Sequence, residues 1–452
     1  MDAWGKTINL ILNPFWEKRI KKRPVLKYLN ELNRSQFAHP TLIKNVQNKR
    51  LAKLLLHATS HSPYYRNIWK QNGIKIDKAF SITDLHQLPL LTRQDAKSSV
   101  AERRSENGPP IHVTKTTGGT TGEPLKIEYD IESEFRRQAM RLRGFGWAGY
   151  QVGMPVLHYW GAATTQNGSL RLKAKQKADH LLKREKWIDC NAQSDVDKQH
   201  AIDTIVSHRP KIIFCYAQAM VELAKTINEN QLRSWDDIRI VCGAEKVSSI
   251  DRKILNHAFG PHVFETYGCR EFMLIGSECK EHDGMHLSSE HLIVEIVDDQ
   301  GAPVEPGTTG NVVITDLFNY ASPLIRYQNG DLASMAPDDE PCPCGRTLGK
   351  IKSIDGRKTE HLKDSFGNTV GGMIFNLIFS PLAEDVSHFQ VRQKTDLSIT
   401  VSVVSNRPLG QGPKDHIMQQ CKKYLPGIEV TLKPVDFIPL TKNGKRQIII
   451  ID

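Results

Sequence analysis

The sequence predicts an α/β protein, with a large N-terminal domain of helix-covered, mostly parallel β-sheets and a small α+β domain at the C-terminal end. Two observations predict it. Between residues 111 and 330, short runs rich in β-branched residues alternate with helical runs across short turns, which is the signal of βαβ units. Beyond about residue 357 the pattern changes to alternating strands around one helix, over a stretch long enough for a domain of its own.

Taken in order, residues 41–73 read as a helix ending in a turn at Asn72 and Gly73. After Pro210, KIIFCY reads as a strand leading into the helix AQAMVELAKTINEN. IRIVCG leads in the same way into SSIDRKILNHAF, and HVFETYG follows as the next strand. HLIVEIV and GNVVITDL, joined through a Gly/Pro-rich connection, read as a hairpin. PDDEPCPCG is a loop by composition. In the last unit SITVSVV, GIEVTLKPVDFI and RQIIII read as strands, with a helix near 413–424. Gly144, Gly146 and Gly149 match a dinucleotide fingerprint in spacing only. They follow the helical stretch ESEFRRQAMRLR, whereas that fingerprint follows a strand.

The 452 residues are 39% hydrophobic and 25% charged, which excludes collagen-like, coiled-coil and disordered classes. A chain of this size buries enough surface to fold without disulfide staples. No stretch approaches the ~20 apolar residues of a membrane span, and the first residues lack the charge and cleavage pattern of a secretory signal. Of eight cysteines, Cys215 and Cys242 sit inside apolar strand-like runs, so a reducing cytoplasm is the expected location.

The net charge of +11 concentrates in residues 18–23 and 171–186. Nucleic acid, an anionic membrane or plain solvated helix faces would each account for these runs. No nucleic-acid-binding signature accompanies them, so no nucleic-acid partner is expected. Trp4, Ile8, Ile11 and Phe15 have amphipathic spacing, but Pro14 is expected to interrupt the helix, which leaves peripheral membrane contact a minor option. A homodimer stays open.

The most informative segment is Thr116, Thr117, Gly118, Gly119, Thr120, Thr121, Gly122. Its glycines let backbone N–H groups approach an anion and its threonines add hydroxyl donors, which makes a phosphate cradle. It is not a Walker loop, since no Gly-Lys-Ser/Thr follows. Three further motifs come after it: Gly243, Ala244 and Glu245; Tyr267, Gly268, Cys269, Arg270 and Glu271; and Tyr327 to Asp331 through Gln328, Asn329 and Gly330. The first two lie at the carboxyl ends of strands, where open α/β sheets bind ligands.

These motifs, in this order, resemble the adenylate-forming superfamily of acyl- and aryl-CoA ligases, luciferases and peptide-synthetase adenylation domains. SPYYRNIWKQNGI, LPLLTRQDA and PCPCGRTLGKIKSIDGR look most like its phenylacetate–CoA ligase branch, which includes the capsular-polysaccharide CapK proteins. The resemblance implies ATP-dependent activation of a small-molecule carboxylate as an acyl-adenylate, then transfer to CoA or to another thiol, amine or hydroxyl acceptor, in the CapK case within surface-polysaccharide biosynthesis. The alternative is a nucleotide-binding, weakly catalytic component of a polysaccharide assembly system. The implied organisation is a helical part of the large domain over 1–110, an ATP-binding core over 111–355 and a mobile lid domain over 356–452.

Residue by residue, the resemblance implies that residues 116–122 hold the β- and γ-phosphates. Gly243, Ala244 and Glu245 would line the adenine pocket, with Tyr267 and Gly268 beside the base. Glu271 would hold Mg²⁺, Asp331 would accept the ribose hydroxyls, Arg357 would reach ribose or phosphates, and Lys445 would enter during adenylation. Three positions depart from the superfamily pattern: Arg270 before the glutamate, Gln328 and Asn329 before Gly330, and Thr359 at the hinge.

A second constellation pairs Cys279 and His286 with Cys342 and Cys344, with His282 as an alternative to His286. Two short ligand pairs from separated segments suit a tetrahedral Cys₃His zinc site. Similar cysteines in the branch that the chain resembles point the same way, to a structural Zn²⁺.

Overall fold

The structure, a computed structural model, describes the chain except for residues 117–124, 162–169, 191–193, 338–339, 358–360, 367–368, 372–373, 383–384, 406 and 440–446. Its first strands, β1 (Val113–Thr116) and β2 (Lys126–Tyr129), form an antiparallel pair in which Thr116 faces Lys126. The two strands flank, in sequence, the segment that carries the predicted cradle.

An eleven-stranded sheet organises the large body, and it has two halves of different character. The parallel half contains β3 (Val156–Trp160), β4 (Glu185–Asp189), β5 (Ile212–Tyr216), β6 (Arg239–Gly243) and β7 (Val263–Cys269), in the order β4-β3-β5-β6-β7. Strands buried on both faces read as near-continuous apolar runs, and β5 and β6 are such runs. The helices Ala217–Glu229 and Ser249–Phe259 cover them, and Leu223, Ile227, Leu255 and Phe259 pack into the same core as Ile213 and Ile240. Ser248 and Asp251 form a reciprocal capping box that starts the second of these helices.

The other half is antiparallel and refines the expectation of a mostly parallel sheet. It comprises β8 (Met273–Glu278), β9 (Met285–Leu287), β10 (Leu292–Val297), β11 (Gly310–Asp316), β12 (Tyr327–Met335) and β13 (Lys350–Arg357). The predicted hairpin is β10–β11. This half curls around a core shared by Tyr267, Phe272, Ile275, Leu292, Val312, Ile314 and Tyr327. The curl brings β12 back against β7, although β8, β9 and β13 separate them along the ladder.

Two local expectations need correction. The helix expected over 41–73 is two helices, Pro40–His61 and Pro63–Gln71. Ser62 before Pro63 is extended, because the proline ring disfavours helical backbone in the residue ahead of it. Pro14 does not end the N-terminal helix. Helical backbone continues through Ala3–Thr7, Ile8–Leu12, Asn13–Phe15 and Trp16–Ile20, with wide i→i+5 turns on either side of the proline. Such a turn relieves the clash a proline makes with the carbonyl four residues earlier. Gly144 and Gly146 lie inside the helix Ile131–Trp147, where a Cβ on Gly144 would meet Leu274 at 2.3 Å. Gly144 thus serves close helix–strand packing, as the spacing argument expected of a coincidental match.

The C-terminal unit has its own core, built from Phe375, Phe379, Val391, Val401, Val403, Ile417 and Cys421. A short hairpin, β14 (His361–Lys363) with β15 (Thr369–Gly371), precedes a four-stranded sheet. In that sheet β16 (Val386–Gln393) and β17 (Ile399–Ser405) are antiparallel, with β18 (Val430–Pro434) and β19 (Ile449–Ile451) added in parallel outside them. The unit touches the large body where His388 Nε2 lies 3.0 Å from Glu222 Oε1 and Lys225 Nζ donates to the Ser387 carbonyl at 3.4 Å.

Candidate active site

The predicted motifs gather at the carboxyl edge of β6 and β7, facing the curled half of the sheet. β6 ends on Gly243, where any Cβ would come within 2.9 Å of the Trp160 ring and 3.2 Å of Thr266 Oγ1. The chain then turns through Ala244 with φ +69°, a left-handed conformation, before Glu245 accepts the Gln218 N–H at 3.1 Å. Gly268 sits at a register shift in β7, and a Cβ there would fall 2.0 Å from the Met273 carbonyl. Only glycine permits that close approach.

Two tyrosine–carboxylate contacts join the two sides reciprocally. Tyr267, on β7, donates to Asp331 Oδ2 on β12 at 2.7 Å. Tyr327, on β12, donates to Glu271 Oε1 just beyond β7 at 3.2 Å. Asn329 completes the first contact, its Nδ2 reaching the Tyr267 oxygen at 2.7 Å and Asp331 Oδ2 at 2.8 Å, while its Oδ1 accepts the Asp331 N–H. Burial, and then the neighbouring carboxylate, push both phenols well above their ordinary range, so each stays a donor. By composition the stretch from Tyr327 to Asp331 suggests a turn. It is instead strand, with Gly330 at φ +88° absorbing the irregularity.

Glu271 is 4% exposed and carries a second contact, from Arg93 Nη1 at 3.3 Å. Both neighbours meet the same oxygen, Oε1. A buried carboxylate at this strand end fits a hard cation such as Mg²⁺. Behind it, Arg137 lies between the Glu271 carbonyl and Asp316. Burial alone would raise Asp316, but Arg137 and His291 outweigh it and hold the carboxyl well below the usual range.

Arg270 donates to the Thr116 carbonyl at 2.9 Å. The residue that departs from the superfamily pattern thus clamps the base of the cradle hairpin. Arg357 pairs with Asp331 in the β12–β13 ladder. Thr117, Gly118, Gly119, Thr120, Thr121, Gly122, Thr359 and Lys445 lie outside the described residues. Motif reasoning missed Arg93, Tyr327 as a partner of Glu271, and the Arg137–Asp316 pair. Arg93 lies within LPLLTRQDA, the one available signal. A cavity of about 270 Å³ between the helices Val25–Ser35, Pro40–His61 and Ile131–Trp147 is lined by none of the predicted site residues.

The cysteine constellation also assembles. Cys279 follows β8, His286 lies in β9, and the pairing of Lys350 with His286 brings in the loop that carries Cys342 and Cys344. The four ligand atoms lie within 4.8 Å of one another, with Cys279 Sγ to Cys342 Sγ at 3.6 Å and Cys344 Sγ to His286 Nε2 at 3.2 Å. A zinc tetrahedron with Zn–S near ~2.3 Å has edges of about 3.8 Å, so the cluster is close to ligating size. Burial pushes His286 down to about 4, leaving the neutral imidazole that a metal needs. His282 lies outside this group of four, with its Nδ1 3.0 Å from Glu278 Oε2.

No family profile matches the chain. Over 438 residues it is 25% identical to the phenylacetate-coenzyme A ligase of Thermus thermophilus, covering 89% of this chain and 95% of that protein. Over 370 residues it is 26% identical to the phenylacetate-coenzyme A ligase of Escherichia coli, covering 77% of each. Among solved structures, 2-hydroxyisobutyryl-CoA ligase in its postadenylation state, in complex with R3-HIB-AMP, aligns with a TM-score of 0.76 at 16% identity over 93% of this chain and 92% of that one. The same ligase in its thioesterification state, with 2-HIB-AMP and CoA, aligns at 0.59. Along most of its length the chain is thus similar to phenylacetate-coenzyme A ligases, and it has the fold of 2-hydroxyisobutyryl-CoA ligase.

Proposed function

We propose that the protein activates a small carboxylate with ATP as an acyl-adenylate, releasing pyrophosphate, and then passes the acyl group to CoA. The observation that carries this reading is the reciprocal tyrosine bracing of Asp331 and Glu271 across the strand ends, with the cradle hairpin clamped to the same turn by Arg270. A carboxylate with a pKa near ~4 is ionised at neutral pH and needs no general base to become a nucleophile. Attack on the α-phosphorus needs in-line positioning and neutralised phosphoryl oxygens.

Each braced group has one task in that scheme. Asp331 accepts the ribose hydroxyls, its carboxylate fixed in direction by Tyr267 and Asn329. The backbone of residues 116–122 cradles the phosphates, and the strand-end turn at Gly243, Ala244 and Glu245 lies against adenine. Glu271 would hold Mg²⁺, which when bound supplies charge neutralisation on the phosphoryl oxygens. Lys445 supplies a cation during adenylation. Tyr216 and Trp160, whose rings meet at 4.5 Å beside Gly243, border the end of β6 where the carboxylate would sit.

The relatives named as CoA ligases favour CoA over an amine or hydroxyl of a polysaccharide precursor, the acceptor that the CapK branch would imply. Incubating the protein with ATP, Mg²⁺ and a panel of aryl and short branched acids, then analysing products by mass spectrometry, tests the scheme. An acyl-AMP without CoA and an acyl-CoA with it are expected. ADP in place of AMP would refute it.

The Cys279, His286, Cys342 and Cys344 cluster supports a structural Zn²⁺ tying the end of β8 to the approach to β13. Purified protein is expected to carry about one equivalent, and a Cys342→Ser/Cys344→Ser variant to lose metal and thermal stability together. Active protein free of zinc would remove this assignment.

A further inference from the structure

The two basic runs and the apolar N-terminal residues have no part in the ligase scheme, yet the fold brings them together. The N-terminal helix docks by one side, where Ile8 packs with Val156, Phe214 and Val241. Trp16 Nε1 donates to Asp179 at 3.0 Å, Lys21 pairs with the same carboxylate at 2.6 Å, and Arg184 pairs with Asp2 at 2.8 Å. Residues 18–23 and 171–186, some 150 positions apart in sequence, are thus made neighbours.

The opposite side of this helix is apolar and uncovered. Leu10 is 73% exposed, Ile11 62%, Phe15 58% and Trp4 57%. Lys6, Lys18, Arg19 and Lys22 are exposed along the same segment, and Lys175 and Lys177 on the adjoining helix Leu170–Leu182. Four large apolar side chains in one short helix, bordered by cations, are the pattern of a helix lying at a membrane surface.

We propose that this face binds the surface of an anionic phospholipid bilayer, with the N-terminal helix lying in the headgroup plane. Charge complementarity selects the occupant. A second copy docking on the same face would set Lys6, Lys18 and Arg19 against their own like charges. Nucleic acid would leave Leu10 and Ile11 without apolar partners. Among the described residues no helix is long and apolar enough to cross a membrane, so contact is interfacial.

Sedimentation of the full chain with phosphatidylcholine vesicles, with and without about one third phosphatidylglycerol, tests this. Binding is expected to the anionic vesicles only, weakening as salt rises, together with a blue shift of tryptophan emission. Ile11→Glu/Phe15→Glu is expected to weaken binding at least about tenfold with an unchanged melting temperature, since both side chains face solvent. Lys18→Glu/Arg19→Glu is expected to flatten the salt dependence. Absence of binding, equal binding by the Ile11→Glu/Phe15→Glu variant, or a dimer in gel filtration that this variant disperses would each overturn the proposal, the last by assigning the face to a second copy.

Discussion

Glu271 and Asp331 each rely on a tyrosine from the opposite strand, and the two hydroxyls differ in what their loss should cost. Tyr267→Phe removes one donor from Asp331 and leaves Asn329 in place. A hydrogen bond to a charged group contributes about 1.5–3 kcal/mol, so KM for ATP should rise by about tenfold, with a smaller change in kcat. Steady-state pyrophosphate release at varied ATP measures this split. Asp316 supports the site from behind. Its folded pKa is depressed, so its stabilisation is present above the unfolded value near ~3.9 and is lost as pH falls below that. Asp316→Asn should therefore cost about 3–5 kcal/mol between pH 5 and 8, with the gap to the natural protein closing below about pH 4 in denaturant titrations. Asp331 and Glu271 were legible in the sequence because each stands in a short glycine-bearing motif. Arg93 and Arg137 were not, because their partners lie 178 and 179 residues away and meet them only through the curl of the sheet.

At the scale of elements, periodicity identified the parallel half correctly because β5 and β6 are apolar on both faces, a signal independent of tertiary context. The length of the N-terminal helix was misjudged, since Pro14 is tolerated through wide turns that no sequence rule specifies. The stretch from Tyr327 to Asp331 reads as a turn because Asn and Gly dominate it, whereas pairing with β11 and β13 holds it as strand. Arg270 shows how a departure from pattern finds its use in the cradle hairpin. Arg270→Ala removes the donor to the Thr116 carbonyl and should raise KM for ATP about fivefold, the equivalent of ~1 kcal/mol, without altering the choice of acid. Isothermal titration with ATP and the acid panel would separate these effects.

For the whole molecule, the proposed two-step scheme requires two arrangements of the small C-terminal unit against the large body, one for adenylation and one for transfer. In that scheme the first arrangement has to give way so that CoA can reach the acyl-adenylate. The contact of His388 with Glu222 is small enough to break in such a movement. We place the pivot at Lys358 and Thr359, between β13 and β14, where Thr359→Pro would fix φ and remove a donor. That variant should slow one half-reaction far more than the other. Equal losses in both, with normal folding, would put the pivot elsewhere.

The most direct test is carboxylate-dependent exchange of labelled pyrophosphate into ATP, run on the natural protein and on Lys445→Ala. Exchange that requires a carboxylate and Mg²⁺, and that falls by orders of magnitude in Lys445→Ala while ATP still binds, is the predicted result. Protein that binds ATP yet exchanges no pyrophosphate with any acid of the panel, or a Lys445→Ala variant that exchanges at the natural rate, would contradict the account.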